Sequence, residues 1–427
     1  MVRFTFLAAA AAVASVATAF PLTDSQLTFT SDSPSSNSDT AASLVHSLNL
    51  ADTLAALPRG HQLRLKEYMA ALPEKRLVKL AEDGEAMEIT EGEKSLLVMA
   101  GQHFIDVTDE QDLLTVAVAD KKPFPSKLTY NTSDLQPLFD NISLYKMKEF
   151  LTSFTGFRTR HYRSDTGKQS QQFLLGQIRQ IAKKNKDLKI RISEFQHPWG
   201  QNSIIARFEP KAASASESTS DSIVIVSAHQ DSTNLLPFLA APGADDDGSG
   251  TTSLLAAFAS LVHSGFVPSD HPVEFHWYSA EEGGLLGSQA VAQDYAKRGI
   301  QVHSMLQNDM TAWVKAGTKP TIGLIQDFVD PELTAFIGMA INEYSTIGWT
   351  PTKCGYACSD HASWSKVGAP SAFTIESTFE DSSKNIHSTR DTIDYSPSEF
   401  SFEHMREFSR VSIALAVELG GGKNLLA

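Results

Sequence analysis

The fold of this chain is decided by residues 222–228, which read Ser-Ile-Val-Ile-Val-Ser-Ala. An unbroken run of β-branched apolar residues between polar ones is typical of a strand buried on both faces of a sheet. Similar segments stand before and after it and alternate with helical patterns. We predict further strands at 189–195, 203–208, 272–280, 301–310, 321–325 and 371–376, and helices at 168–185, 249–264, 284–298, 330–345 and 397–419. This alternation predicts an α/β fold: a mostly parallel, twisted sheet flanked by helices on both faces.

Histidine and carboxylate side chains stand where several of these strands end, and functional groups collect at that edge of a parallel sheet. They are His229 and Asp231 after residues 222–228, Glu281 and Glu282 after 272–280, Asp309 near the end of 301–310, and, from two loops, Asp245, Asp246, Asp247, His387 and Asp391. Each group alone has an ordinary explanation, such as a core pair, a solvated turn or a helix face. Their occurrence at successive strand ends indicates one site.

A buried carboxylate cluster needs a compensating charge, because each uncompensated buried charge costs several kcal/mol. Histidine and carboxylate ligands without thiolate suit zinc or a similar divalent metal. Two histidines and three carboxylates are enough for two metals with one shared ligand, and such a pair can activate water. Glu281, beside the candidate ligand Glu282, can accept the proton of that water.

The chain has two cysteines, Cys354 and Cys358, in the segment Cys-Gly-Tyr-Ala-Cys. In an oxidising compartment two thiols this close are expected to pair. So short a loop gains little loop-closure entropy, and the expected role of the disulfide is to fix the loop around Tyr356. The alternative is two free buried thiols. A zinc site from these two alone is disfavoured, because structural zinc sites usually have four ligands.

The composition limits the possible functions. The chain has 427 residues, of which 42% are hydrophobic, and this excludes a disordered or fibrous protein. Its net charge is −14, and no segment is rich in Lys and Arg. Binding to nucleic acid or to an anionic membrane depends on clustered positive charge. We therefore expect neither partner.

Residues 1–19 have the features of a secretory signal peptide: Arg3, an apolar core and the small-residue end Ala17-Thr-Ala19. The alternative is a membrane anchor, since the uncharged stretch approaches the length of a membrane span. We expect cleavage, and hence a secreted, extracellular protein with no membrane segment in its mature form. Two N-glycosylation motifs, at Asn131 and Asn141, agree with export.

Residues 20–120 contain no catalytic motif. Between a signal peptide and a catalytic body, such a stretch is expected to be a propeptide, cleaved near Lys121 and Lys122. The alternative is a small accessory domain that the mature protein retains. The catalytic domain then spans residues 121–427.

Six motifs follow one another along the chain: Ser227-Ala-His-Gln-Asp231, Ala241-Pro-Gly-Ala-Asp-Asp-Asp-Gly-Ser-Gly250, Ser279-Ala-Glu-Glu-Gly283, Leu306-Gln-Asn-Asp-Met310, Cys354-Gly-Tyr-Ala-Cys-Ser-Asp-His361 and Ile386-His387. Through these motifs, and in the same order, the chain from about Lys127 to Leu419 resembles the secreted zinc aminopeptidases of the M28 class, especially fungal leucine aminopeptidases and their bacterial relatives. The resemblance also implies that an N-terminal segment is removed. Our hypothesis is that residues 20 to about 120 assist folding and keep the enzyme inactive until cleavage.

The resemblance implies two Zn²⁺ ions per chain as cofactors. One ion would be held by His229 and Asp309. The other would be held by Glu282 and His387, with Asp246 bridging the two.

Four further residues take roles from the resemblance. Glu281 matches the general base, and Asp231 matches the carboxylate that orients a metal-bound histidine ring. Asp247 follows the bridging residue across a peptide bond that is cis in the family. Tyr356 matches a tyrosine near the substrate carbonyl, where its hydroxyl could donate a hydrogen bond to an oxyanion.

The substrate pocket that the resemblance implies is apolar, which predicts a preference for leucine-like side chains and not strict specificity. Ile375 can equally be a core residue. Ser382 stands where bacterial relatives carry a tyrosine at the pocket rim, so we expect a wider rim here. The pocket lining matches Met310, Ile325, Phe373, Ile375, Phe379 and Ile386.

These observations predict an extracellular, monomeric metallo-aminopeptidase that acts on peptides with a free N-terminus. Two other functions are considered. A carboxypeptidase or glutaminyl-cyclase-like enzyme on the same scaffold is disfavoured by the five ligands, because cyclase-like relatives use a single metal. A binding module on an inactive scaffold is disfavoured because Glu281, Glu282 and both histidines are intact.

Overall fold

The computed structural model describes residues 37–81, 84–109, 123–210, 222–422 and 425. The predicted signal peptide, residues 1–19, lies outside these ranges, and so does the predicted cleavage neighbourhood at Lys121 and Lys122. The division into propeptide and catalytic domain therefore stays a prediction. None of the helices in the described ranges is long and apolar enough to span a bilayer.

The described residues between 37 and 109, here called the N-terminal unit, form a small sheet with its own core. Its strands pair antiparallel in the order β2-β1-β3. Its elements are α1 Asn37–Ser47, α2 Ala51–Ala56, α3 Arg59–Ala71, β1 Lys75–Lys79, β2 Met87–Thr90, α4 Lys94–Met99 and β3 Ile105–Asp106. Its buried core consists of Leu44, Leu50, Val78, Ile89, Leu96 and Leu97.

The main sheet of the described chain has eight strands. They are β4 Ile190–Phe195, β5 Ser203–Phe208, β6 Ile223–His229, β7 Val273–Tyr278, β8 Val302–Asn308, β9 Ile322–Ile325, β10 Trp349–Thr352 and β11 Ser371–Ile375. Their order is β10-β9-β11-β8-β6-β7-β5-β4. The central strands β11, β8, β6 and β7 are parallel, while β9 joins β11 and β5 joins β7 antiparallel. The predicted fold class is confirmed, with antiparallel pairing confined to the flanks.

Helices cover both faces of this sheet. The side chains of a strand alternate between the two faces, so a strand that is apolar along its length places apolar side chains on both. In β6, Val224, Val226 and Ala228 face a large core, whereas Ile223 and Ile225 face a second core. The helices are α5 Thr132–Phe139, α6 Leu144–Phe154, α7 Asp165–Ala182, α8 Gly248–His263, α9 Leu286–Lys297, α10 Pro331–Tyr344, α11 His361–Lys366 and α12 Phe402–Gly420. The large core includes side chains of α8 and α12, and the second includes those of α9 and α11.

Candidate active site

The carboxyl ends of the parallel strands bring the predicted site residues together. They are His229 at the end of β6, Glu281 and Glu282 after β7, Asp309 after β8, Asp246 shortly before α8, and His387 in the loop between β11 and α12. Ala280, Met310 and His387 have φ angles of 58°, 54° and 53°. Such left-handed conformations persist only where the surrounding structure enforces them, and they are frequent at functional sites.

Asp246 lies between two histidines. Its Oδ1 is 3.1 Å from Nε2 of His229, and its Oδ2 is 3.0 Å from Nε2 of His387. On one side, Oδ1 of Asp309 is 3.4 Å from the same His229 nitrogen. On the other, Oε2 of Glu282 is 3.0 Å from the His387 nitrogen. The five side chains thus form two groups that share Asp246.

These groups fit zinc ligands. Two ligand atoms held tetrahedrally by one zinc lie roughly 3.3 Å apart, close to the observed distances. Nε2 of His229, Oδ1 of Asp309 and Oε1 of Glu282 are buried without a hydrogen-bond partner. Burial and the charge of Asp246 raise the pKa of Glu282 to about 7. The unpartnered atoms and the excess negative charge are what a bound cation would compensate.

Asp247 also offers an oxygen within 4.8 Å of a His229 ring nitrogen. Its carboxylate, however, is engaged by the backbone. Oδ1 accepts the N–H groups of Gly250 at 2.8 Å and Met310 at 3.0 Å, and Oδ2 accepts that of His229 at 3.0 Å. Asp247 therefore caps α8 and joins three segments of the site, whereas Asp246 directs both oxygens at histidines. The peptide bond between Asp246 and Asp247 is cis.

Asp231 lies behind His229, with its Oδ1 3.4 Å from Nδ1 of the ring. The same carboxylate accepts the backbone N–H groups of Glu281 at 3.1 Å and Glu282 at 3.2 Å. Asp231 is fully buried. Nδ1 of His229 has no hydrogen-bond partner among the described residues, so the orienting role of Asp231 stays a prediction. Its contacts with the two glutamates fix the turn that carries the predicted base.

Glu281 and Tyr356 both have raised pKa values. Burial raises the pKa of Glu281 well above its ordinary range, with Glu282 adding to the shift and His229 opposing it. Burial, together with the nearby carboxylates of Glu281 and Asp309, also raises the pKa of Tyr356. The phenol therefore keeps its proton at neutral pH and can donate a hydrogen bond.

A disulfide joins Cys354 to Cys358 and encloses Tyr356. The predicted pairing is confirmed, and the alternative of two free thiols is wrong. Immediately after this loop, the hydroxyl of Ser359 donates to Oδ2 of Asp309 at 2.6 Å. Sequence reasoning did not assign Ser359 a role, although it lies inside one of the six motifs.

The residues predicted to line the substrate pocket lie in one apolar cluster beside the disulfide. Ile375 is 1% exposed, so whether it touches substrate stays a prediction. Ser382 is buried, and its hydroxyl donates to the backbone oxygen of Phe379 at 2.8 Å. The cluster contains Met310, Ile325, Phe373 and Ile375, with Phe379 and Ile386 packed against them.

The comparisons with known proteins agree with this geometry. Residues 203–412 match the family model described as Peptidase family M28. The chain is 49% identical over 350 residues to leucine aminopeptidase 1 of Chaetomium globosum, covering 79% of this chain and 83% of that protein. It is 48% identical to leucine aminopeptidase 1 of Neurospora crassa, with the same coverage of both chains.

A solved structure extends the comparison. The LapA aminopeptidase of Legionella pneumophila superposes with a TM-score of 0.67 at 26% identity, covering 81% of this chain and 98% of that one. The resemblance found in the sequence is thereby confirmed. The chain belongs to peptidase family M28, beside the fungal leucine aminopeptidases, and is a zinc-dependent peptide-bond hydrolase.

Proposed function

We propose that the chain is a secreted, monomeric aminopeptidase that removes leucine-like residues from the free N-termini of peptides, using two Zn²⁺ ions. One observation carries this proposal. The two oxygens of Asp246 face two different histidines, His229 and His387, at 3.1 and 3.0 Å. A carboxylate placed in this way is suited to bridge two cations.

His229, Asp309 and Asp246 would hold one ion, and Glu282, His387 and Asp246 the other. When bound, such a pair lowers the pKa of a shared water molecule and polarises the substrate carbonyl. Asp231 keeps the ring of His229 oriented for this role.

Glu281 is the proposed general base. It accepts a proton from the water that attacks the carbonyl carbon, and it returns this proton to the amine nitrogen when the C–N bond breaks. Burial, which raises the pKa of Glu281, makes this carboxylate a better proton acceptor than an exposed one. Asp231 holds Glu281 in place through the backbone N–H group of that residue. Tyr356 stays protonated and donates to the carbonyl oxygen as negative charge develops there.

The apolar cluster beside the disulfide is the proposed pocket for the N-terminal side chain. Met310 and Phe373 are each largely buried in it, and Phe379 packs against them. Burial of an aliphatic side chain among such residues is favourable by hydrophobic transfer, which distinguishes similar side chains only moderately. The relatives named leucine aminopeptidase support leucine as the preferred residue.

The N-terminal unit is proposed to be part of a propeptide that keeps the enzyme inactive. It binds the loop that follows Glu281 and Glu282. Nζ of Lys94 donates to the backbone oxygen of Gly283 at 3.1 Å. The N–H group of Asp106 donates to the backbone oxygen of Gly284, also at 3.1 Å. At most 3% of Lys94 and of Asp106 is exposed.

Two further contacts attach the unit to other segments of the chain. The guanidinium of Arg64 lies 4.6 Å from the ring centre of Phe238, and Nε of Arg163 lies 3.1 Å from Oε1 of Glu91. With residues 37–109 attached in this way, access to the site is expected to be restricted until cleavage. Secretion and glycosylation at Asn131 and Asn141, both exposed, belong to the same proposal.

A paired substrate assay tests the proposed activity. The protein cleaved after residue 122 is given leucine amide and its N-acetylated counterpart, with and without a zinc chelator. We expect hydrolysis of the free-amine compound alone, and loss of activity with the chelator that zinc restores. Hydrolysis of the acetylated compound at a similar rate would contradict an aminopeptidase.

A further inference from the structure

Asp391 connects the loop that carries His387 with the loop that carries Asp246. Its carboxylate accepts two successive backbone N–H groups, that of Asp245 on Oδ1 at 2.9 Å and that of Asp246 on Oδ2 at 3.1 Å. Its own backbone oxygen accepts the N–H group of Ala244 at 3.1 Å. Asp391, four positions after His387, thus accepts the N–H groups of three consecutive residues, the last of which is Asp246.

Arg160 holds the carbonyl groups of the same loop. Its side chain is fully buried. Nη2 donates to the backbone oxygen of Gly243 at 2.9 Å, and Nη1 donates to that of Pro242. Nε donates to the backbone oxygen of Gln230 at 2.9 Å, just beyond β6. Two charged residues therefore fix the loop before Asp246: Asp391 accepts its N–H groups, and Arg160 donates to its carbonyl oxygens.

The surroundings of Asp391 indicate a specific role and not a surface ion pair. The residue is 3% exposed. A second carboxylate this close to the site is unfavourable electrostatically, and each of its oxygens accepts one backbone N–H group of the Asp246 loop.

We propose that Asp391 is a positioning residue that sets the place of Asp246 relative to His387 and thereby the affinity for the zinc ion that Glu282 and His387 would hold. The inference rests on the proposed function, since it takes Asp246 and His387 as metal ligands. Groups that hold ligands in place typically change metal affinity or activity by about 10–100-fold when they are removed.

Glu418 offers a matched control. Its buried carboxylate also accepts two successive backbone N–H groups, those of Thr129 at 2.8 Å and Tyr130 at 3.1 Å. It lies near the end of α12, where the backbone oxygen of Gly420 accepts the N–H group of His271, just before β7 begins. The candidate metal ligands follow the carboxyl ends of β6, β7 and β8, at the other end of these strands. If the loss of any buried carboxylate that accepts two backbone N–H groups weakened zinc binding, the variants of Asp391 and of Glu418 would both show it.

The test compares Asp391→Asn with Glu418→Gln. Asparagine keeps the size of the side chain but presents an NH₂ group to one of the two N–H donors. The metal-depleted full chain is titrated with zinc against a chromophoric chelator, which gives both zinc affinities without an activity assay. We expect at least one of the two affinities of Asp391→Asn to fall about 10–100-fold, and Glu418→Gln to keep both affinities. Wild-type affinities in Asp391→Asn would overturn the inference.

The wild-type titration distinguishes failure of the proposed function from failure of the positioning role. If the wild-type chain does not bind two zinc ions, the proposed function fails. If it binds two and Asp391→Asn binds them equally well, only the positioning role fails. Should Asp391→Asn not fold, Asp391→Glu takes its place. It keeps the charge and both acceptor oxygens but is one methylene longer, so at least one affinity is again expected to fall, and two unchanged values overturn the inference.

Discussion

The imidazole ring of His103, in the N-terminal unit, stacks on the ring of Tyr356, with centroids 3.8 Å apart and planes inclined by 17°. Tyr356 is the residue proposed to donate a hydrogen bond to the substrate carbonyl. A ring on its face occupies space that a substrate near that hydroxyl would need. The stacking of His103 on Tyr356 is therefore the contact through which the N-terminal unit is proposed to inhibit the enzyme.

The full-length chain is therefore expected to be less active than the chain cleaved after residue 122, and His103→Ala should recover part of the difference. The matched control is His61→Ala, since His61 contacts Phe238 with ring centroids 5.4 Å apart and not Tyr356. The measurement is kcat/KM on leucine amide for all four proteins. Equal activity of full-length and cleaved chains would rule out inhibition, and equal gains in both variants would show that His103 only helps attachment.

Glu281→Gln should lower kcat by about 10²–10⁴-fold, the usual contribution of a general acid–base. The amide cannot accept the proton of water, but the five candidate ligands remain. Zinc content should therefore stay at the wild-type value, as measured on the dialysed protein by atomic emission. Glu282→Gln is the neighbouring control and should lose zinc. Loss of zinc in Glu281→Gln instead would make that residue a ligand.

Replacing both Cys354 and Cys358 by serine should affect turnover more than stability. Four positions separate the two cysteines, so the bond restricts the unfolded chain very little. Its main expected effect is a fixed Tyr356. We expect a small change in the melting temperature and a lower kcat, with Tyr356→Phe showing the loss when the hydroxyl is absent. Unchanged kcat in the serine variant together with a large drop in melting temperature would reverse this assignment.

Acid should destabilise the fold through Glu274, a buried residue of β7. Burial alone would raise the pKa of Glu274, but hydrogen bonds from His276, Arg207 and Tyr295 outweigh it and lower the pKa to about 2. The folded state therefore binds this proton less readily than the unfolded chain. The resulting stability is complete above pH 4.5 and is lost as the pH falls towards 2, by up to about 3 kcal/mol.

Urea unfolding of the wild type and of Glu274→Gln at a series of pH values between 6 and 2.5 measures this effect. The glutamine variant should be less stable near pH 6, and the difference between the two proteins should shrink as the pH falls. A difference that stays constant over this range would show that Glu274 does not titrate as described.

The sequence predicted the central part of the fold because that part has strong local signals. Residues 223–226 form an unbroken apolar run, and they begin β6, which is buried on both faces. The strand of the main sheet that was not predicted, β10, is an edge strand that contains Pro351, and proline weakens a strand pattern. The predicted strand 272–280 ends earlier in the structure, at Tyr278, where the chain turns towards Ala280 with its positive φ.

The candidate site was predictable where its residues stand in motifs, and less so where only folding brings them together. Arg160 belongs to no motif, and the three backbone oxygens that it binds lie 70, 82 and 83 positions further along the chain. The contact between Lys94 and Gly283 spans 189 positions. Asp391 was visible as a carboxylate after His387, but its hydrogen bonds to the backbone of the Asp246 loop were not.

The central claim is that Asp246 bridges two zinc ions, and anomalous diffraction at the zinc edge from crystals of the cleaved protein tests it most directly. The account predicts two peaks, one beside His229 and Asp309 and one beside Glu282 and His387, with one oxygen of Asp246 on each. A single peak, or zinc that does not touch Asp246, would contradict it.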